Sequence, residues 1–121
     1  MATRSRIAIE LSDGTVKSVY CHWDGYFDGV GKDLMARFPN GTDPINVELF
    51  INEGDRTTVE MSYNEWRNEN CPADEVESVS EFFNGDIEEY GYLYTQDGHW
   101  ITKQASNRLS EPFPLEEYTH I

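Results

Sequence analysis

Arg6-Ile7-Ala8-Ile9-Glu10-Leu11-Ser12-Asp13-Gly14-Thr15-Val16-Lys17-Ser18-Val19-Tyr20-Cys21-His22-Trp23 is the stretch on which the fold turns. Apolar residues alternate at Ile7, Ile9 and Leu11, the period of a strand whose side chains point to opposite faces in turn. Asp13-Gly14 is a strong turn signal, because a two-residue type I′ turn needs φ > 0 at both central positions. Val16 to Trp23 is then the returning strand. A two-residue loop sets Glu10 opposite Lys17, an opposite-charge pair that supports this register. In that register Ile7, Ile9, Leu11, Val16, Tyr20 and His22 share one face, and Val19, Cys21 and Trp23 share the other with Ala8. Both faces carry bulk, which predicts a hairpin covered on both sides.

The far end of the chain repeats the device. Tyr90 to Thr95 and His99 to Lys103 form a second hairpin about Asp97-Gly98. The same turn puts Tyr92 and Tyr94 on one face with Ile101, and Leu93 on the other with Trp100.

Between the hairpins the period lengthens. Tyr26-Phe27-Asp28-Gly29 reads as a loop, with Asp28 placed to cap a short helix carrying Leu34, Met35 and Phe38. Pro39-Asn40-Gly41 stops that helix. Asp43-Pro44 supplies an N-cap followed by Pro at the first helical position, with Ile45 and Leu49 one turn apart and Gly54 as a stop. The rival reading makes Ile45–Ile51 a strand, turning at Asn52-Glu53-Gly54-Asp55 into Thr57–Met61. The helix is preferred. Residues 62–73 are polar and read as a loop around Trp66. Asp74 opens a helical segment with Val76, Val79 and Phe83 in step, closed by Asn84-Gly85. The expected fold class is α+β, an antiparallel sheet from the N- and C-terminal hairpins with two or three short helices packed on one face. Residues 1–104 form the single domain, and 105–121, with Pro112 and Pro114, an extended tail.

Charge is the loudest compositional signal. Nine Lys and Arg stand against 23 Asp and Glu, a formal net charge of −14 on 121 residues. From Asn68 to Thr102 there is no Lys or Arg, while Glu69, Asp74, Glu75, Glu77, Glu81, Asp86, Glu88, Glu89 and Asp97 all fall there. Such a surface disfavours nucleic acid and anionic membrane as direct partners, since both are polyanions. A basic protein surface suits it, and solubility alone is the plainer reading. The opening residues are polar, no run approaches a membrane span, and the expected compartment is the cytoplasm. Cys21 and Cys71 are expected to stay reduced there.

The densest polar cluster is Tyr20-Cys21-His22-Trp23-Asp24-Gly25-Tyr26. Adjacent strand residues point apart, so Cys21 and His22 cannot form a thiolate–imidazole pair. His22 and Asp24 can face the same way, and a local strand-end cluster is the plainer account of them. A zinc site from Cys21, His22, Cys71 and His99 lacks the close ligand spacings that define such sites. No phosphate loop, dinucleotide fingerprint, nucleophile elbow or calcium loop occurs. No catalytic residue, metal or cofactor is assigned.

Met1 to Ile7, Asp13 to Val16, and above all Tyr20 to Tyr26 resemble a family of small proteins encoded by bacteriophages and prophages. Its N-terminal hairpin is followed by a Gly-rich loop, helices and a late Tyr-x-Tyr-Leu-Tyr strand. Tyr90-Gly91-Tyr92-Leu93-Tyr94 with His99-Trp100-Ile101 matches that last part. Phe27 stands where typical members have Pro. The resemblance implies a phage accessory gene and supplies no mechanism.

Three functions follow as expectations. The first is a non-enzymatic protein that binds and inhibits or modulates a host protein, imitating nucleic acid against a basic groove. Its contacts would be Glu75, Glu77, Glu81, Asp86, Glu88 and Glu89, with Trp66 as an aromatic anchor. The second is a small-molecule or nucleotide binder, with Arg4, Arg6 and Lys17 near Tyr20, His22, Asp24 and Tyr26. A third, an enzyme centred on His22 and Asp24, ranks last.

Overall fold

A computed structural model describes residues 3–60, 73–85, 87–105 and 111–119. Both hairpins lie in one six-stranded sheet, and short helices pack against it, an α+β fold. The strands are β1 (Ser5–Glu10), β2 (Val16–Cys21), β3 (Asp74–Val76), β4 (Tyr90–Tyr94), β5 (Trp100–Gln104) and β6 (Phe113–Pro114), in the order β3-β2-β1-β4-β5-β6. The two hairpins meet at β1 and β4, which run parallel, with Ile7 beside Tyr92. The sheet is therefore mixed, antiparallel at its other four pairings.

The registers differ from the expected ones, and in both hairpins by one residue. Glu10 faces Val16, and Tyr94 faces Trp100. Leu11 N donates to Thr15 O at 2.8 Å and Gly14 N to Leu11 O at 2.9 Å; Thr95 N and Gly98 N repeat the pattern at the second turn. Each loop holds three residues and takes positive φ only at its glycine, +88° at Gly14 and +84° at Gly98. That geometry spares Asp13 and Asp97 the left-handed conformation a type I′ turn would impose, and Asp13 accepts from Thr15 N and Oγ1 instead. A one-residue change of register flips every side chain of the returning strand.

Val19 and Cys21 therefore join Ile7 and Ile9, while Trp100 joins Tyr92 and Tyr94. These residues floor the main core, beneath Val30, Leu34, Phe38, Val47, Phe50, Ile51 and Leu115. Those upper residues come from a π-helical turn (Phe27–Gly31), α1 (Lys32–Arg37), α2 (Pro44–Asn52) and α4 (Leu115–Thr119). Trp100 is buried, donates its indole N–H to Phe38 O at 2.9 Å and lies 5.1 Å from the Tyr94 ring. On the opposite face Ala8, Val16 and Leu93 meet Phe82, Phe83 and Ile87 from α3 (Val79–Asn84) and the chain beyond it. Helices thus cover both faces, with α3 on the second.

Residues 44–52 are helical, as preferred, with Asp43 capping Ile45 N at 3.0 Å. The buried stripe is Val47, Phe50 and Ile51, however, and Ile45 and Leu49 are 63% and 59% exposed. Asp74 opens no helix: residues 74–76 pair with β2, and Ser78 caps α3 by accepting from Glu81 N at 3.1 Å. The segment after Tyr26 winds into the π-helical turn, whose N-cap position is Tyr26 and not Asp28, which lies inside its first turn. The end of the chain is not an extended tail. β6 pairs with β5, and Leu115 is completely buried.

Candidate functional site

Strand pairing brings Tyr20, Arg6, Gly91 and Lys103 into one row across β2, β1, β4 and β5, on the face that carries α3. Gly91 leaves the middle of the row open. Ile87 fills it, since a Cβ at Gly91 would stand 3.1 Å from the Ile87 side chain. Arg6 and Lys103 thus flank α3 at the bases of two shallow grooves.

Neither base is presented freely. Arg6 Nη2 pairs with Asp74 at 3.0 Å, and its Nε and Nη2 donate to Ser18 Oγ. Lys103 is buried at the floor of its groove, which Glu88 also lines. Beside Arg6, Asp55 accepts from Tyr20 N at 3.0 Å, and burial pushes its carboxyl above the usual carboxylate range.

Next along β2, the Tyr20 hydroxyl and His22 Nδ1 share a hydrogen bond of 2.6 Å. Asp24 does not join them. It stands at φ +59°, and its carboxylate accepts from the Tyr26 hydroxyl at 3.3 Å. The charge of Asp24, ahead of a small desolvation effect, holds the Tyr26 phenol above its usual range. The backbone of this corner is fixed by Tyr92, whose hydroxyl donates to Gly25 O at 2.6 Å. Cys21 points the other way and is fully buried, and desolvation pushes its thiol up to about 11. The polar cluster therefore brings no thiol against an imidazole among the described residues.

Of the nucleotide-binding set, Arg6, Tyr20 and His22 come together, while Asp24 and Tyr26 form a separate pair. Arg4 precedes β1, where its backbone N–H donates to Glu89 Oε2 at 2.7 Å. Lys17 leaves the set: the register turns it to the α2 face, where it reaches Asn52 at 3.2 Å and Glu48 at 3.6 Å. Lys103 was absent from the sequence reading. Only the corrected register, which places it beside Gly91, reveals it.

The acidic set divides. Asp74, Glu75, Glu77 and Glu81 lie together at the β3 edge and the start of α3, all exposed. Glu81 Oε2 accepts from Glu77 N at 3.1 Å and so closes the helix start with Ser78. Glu88 and Glu89 sit beyond the other end of α3, ahead of β4, and Asp97 lies in the second turn. Asp86 and Trp66 lie outside the described residues, as does Cys71 of the zinc set. Among the described residues no three His, Cys, Asp or Glu side chains gather as a metal site would require, and no helix is long and apolar enough to cross a membrane.

The chain was compared with protein-family models, curated proteins and solved structures, and none of them matches it.

Proposed function

We propose that this protein acts by binding, without catalysis of its own, and that its partner is a basic protein surface. The observation that carries the reading is the β3–α3 edge, where Asp74, Glu75, Glu77 and Glu81 stand exposed in sequence order. Only Arg6 among the described residues pairs with any of them, and the Asp74 side chain stays 73% exposed despite that pairing. Closely spaced carboxylates attract the Lys and Arg of a groove built for phosphates, and they accelerate encounter. The resemblance implies a phage accessory gene, and on this reading the basic partner is a host defence or transcription enzyme that the protein blocks or modulates.

The test begins with affinity purification from the native host cell and proceeds to binding of the captured partner. Glu81 is left alone, because it caps α3. Glu75 faces Lys17 across the strands, so Lys at position 75 would set like charges opposite each other. The variant is therefore Glu75→Gln with Glu77→Gln, and the control Glu117→Gln on α4. Affinity should fall with rising salt and drop several-fold, about 3- to 10-fold, in the double variant but not in the control. Binding indifferent to both salt and the double variant sinks the reading.

The row of Tyr20, Arg6 and Lys103 supports a second reading, a small anionic ligand bound beside α3. Loss of binding in Arg6→Ala and Lys103→Ala, with Glu75→Gln/Glu77→Gln silent, would favour it.

A further inference from the structure

Among the described residues α2 is the helix whose apolar side chains point both ways. Its core stripe is satisfied, yet Ile45 and Leu49 stand one turn apart on the outer surface. Beside Ile45 a groove runs between α2 and the first turn. Leu11, Pro44 and Ile45 line its floor, and Glu10, Asp13 and Glu48 stand on its rim. No Lys or Arg lines it among the described residues, and the neighbouring Lys17 is engaged by Glu48 and Asn52. Asp13 is held below the usual carboxylate range by its two bonds from Thr15, so its carboxylate stays ionised in mild acid.

An apolar floor inside an acidic rim selects against most partners. An anionic membrane or a nucleic acid is repelled, and an acidic second copy of this chain would bring like charges onto the rim. A purely apolar segment gains nothing from the carboxylates. The complementary ligand carries a bulky apolar side chain between Lys or Arg residues. Lys17 stands between the groove and the acidic edge described above, since Glu75 faces it across the strands and it pairs with Glu48.

We infer that the groove between α2 and the β1–β2 turn is the docking point for a basic, apolar-anchored segment of a partner protein, with Ile45 in the groove and the exposed Leu49, one turn along α2, as the apolar contacts. The inference rests on the proposed reading of a basic partner, and it adds where the partner's anchor sits. Apolar anchors in the middle of an interface dominate affinity, while rim charges set encounter and register.

The probe is a fluorescent peptide with a leucine cluster between two lysine arms, titrated by anisotropy into the full chain. An all-lysine peptide and a neutral leucine peptide serve as comparisons. The lysine–leucine peptide should bind about tenfold more tightly than the all-lysine one, as burial of one or two leucine side chains implies. Ile45→Ser with Leu49→Ser should erase that preference while leaving the circular dichroism unchanged, since both side chains are exposed. A preference that survives the double variant but is lost in Glu75→Gln/Glu77→Gln overturns this inference and leaves the proposed function standing. Failure of both lysine peptides to bind at low salt overturns both. Equal binding of the neutral leucine peptide overturns it too, because the rim would then be irrelevant. Sedimentation showing a wild-type dimer that the Ile45→Ser/Leu49→Ser variant loses overturns it as well, with a second copy as the occupant.

Discussion

Cys21 and Glu81 show how one side chain's role depends on which way the backbone aims it. Cys21 lies at the end of β2 beneath the helices, and its thiol titrates near 11 against 9.0 for the ordinary group. Thiol reagents should modify it at the rate of unfolding, with peptide mapping separating it from Cys71. Rapid labelling of Cys21 in the folded protein, slowed by His22→Ala, would show that the pair is reactive after all. The folded state disfavours the thiolate. Its contribution to stability is therefore present below about 9 and is lost as pH rises through the interval to about 11. Glu81 looks like one more surface acid, but it closes the start of α3. Glu81→Ala should cost about 1 kcal/mol in urea unfolding, where Glu77→Ala should fall within experimental error. Equal effects of the two would mean that the cap contributes nothing.

At the scale of elements, the hairpins and α2 were located correctly from sequence and oriented wrongly. Alternation and Asp-Gly found both turns, because a glycine is needed wherever φ is positive. The number of loop residues was not legible, since Asp-Gly fits a two-residue loop and also the last two places of a three-residue one. The first choice makes a Glu10–Lys17 pair; the second sends Val19, Cys21 and Trp100 into the core. Burial of those side chains outweighs one exposed ion pair, which contributes at most about 1 kcal/mol. Gly14→Ala, with open space around it but φ +88°, should destabilise by about 1–2 kcal/mol through backbone strain alone. Little or no change in urea unfolding would mean that the turn relaxes to another type. In α2 the spacing of Ile45 and Leu49 is as helical as that of Val47 and Ile51. Periodicity reports that a helix has an apolar stripe, and the neighbours decide which stripe is covered.

For the whole molecule, the dominant force beyond packing is self-repulsion. With a net charge of −14, raising salt screens like charges and should stabilise the fold. Burial raises the carboxyls of Asp33 and Asp55 above 3.8, so their folded forms bind protons more readily. The stability tied to them falls as pH rises through those folded values, and mild acid relieves it. Asp13, held low, acts in the opposite sense and only in stronger acid. At low salt the melting temperature should rise on acidifying from neutral to about pH 5, and also on adding NaCl at neutral pH. A melting temperature that falls with salt would show that attractive pairs such as Arg6–Asp74 outweigh the repulsion.

What the sequence determined by itself was local: two hairpins, a helix after Asp43-Pro44, the opposite facing of Cys21 and His22, and the excess of acid. Each follows from neighbours along the chain, through φ at a glycine, a cap, or the pleat of a strand. Tertiary structure decided the parallel seam of β1 and β4, the α3 on the second face, the burial of Leu115, and the row that aligns Arg6 with Lys103. It also left Ile45 and Leu49 uncovered. These depend on pairings across tens of residues, where several registers satisfy the local rules. The choice among them falls to whichever buries Trp100, Tyr92 and Tyr94 together.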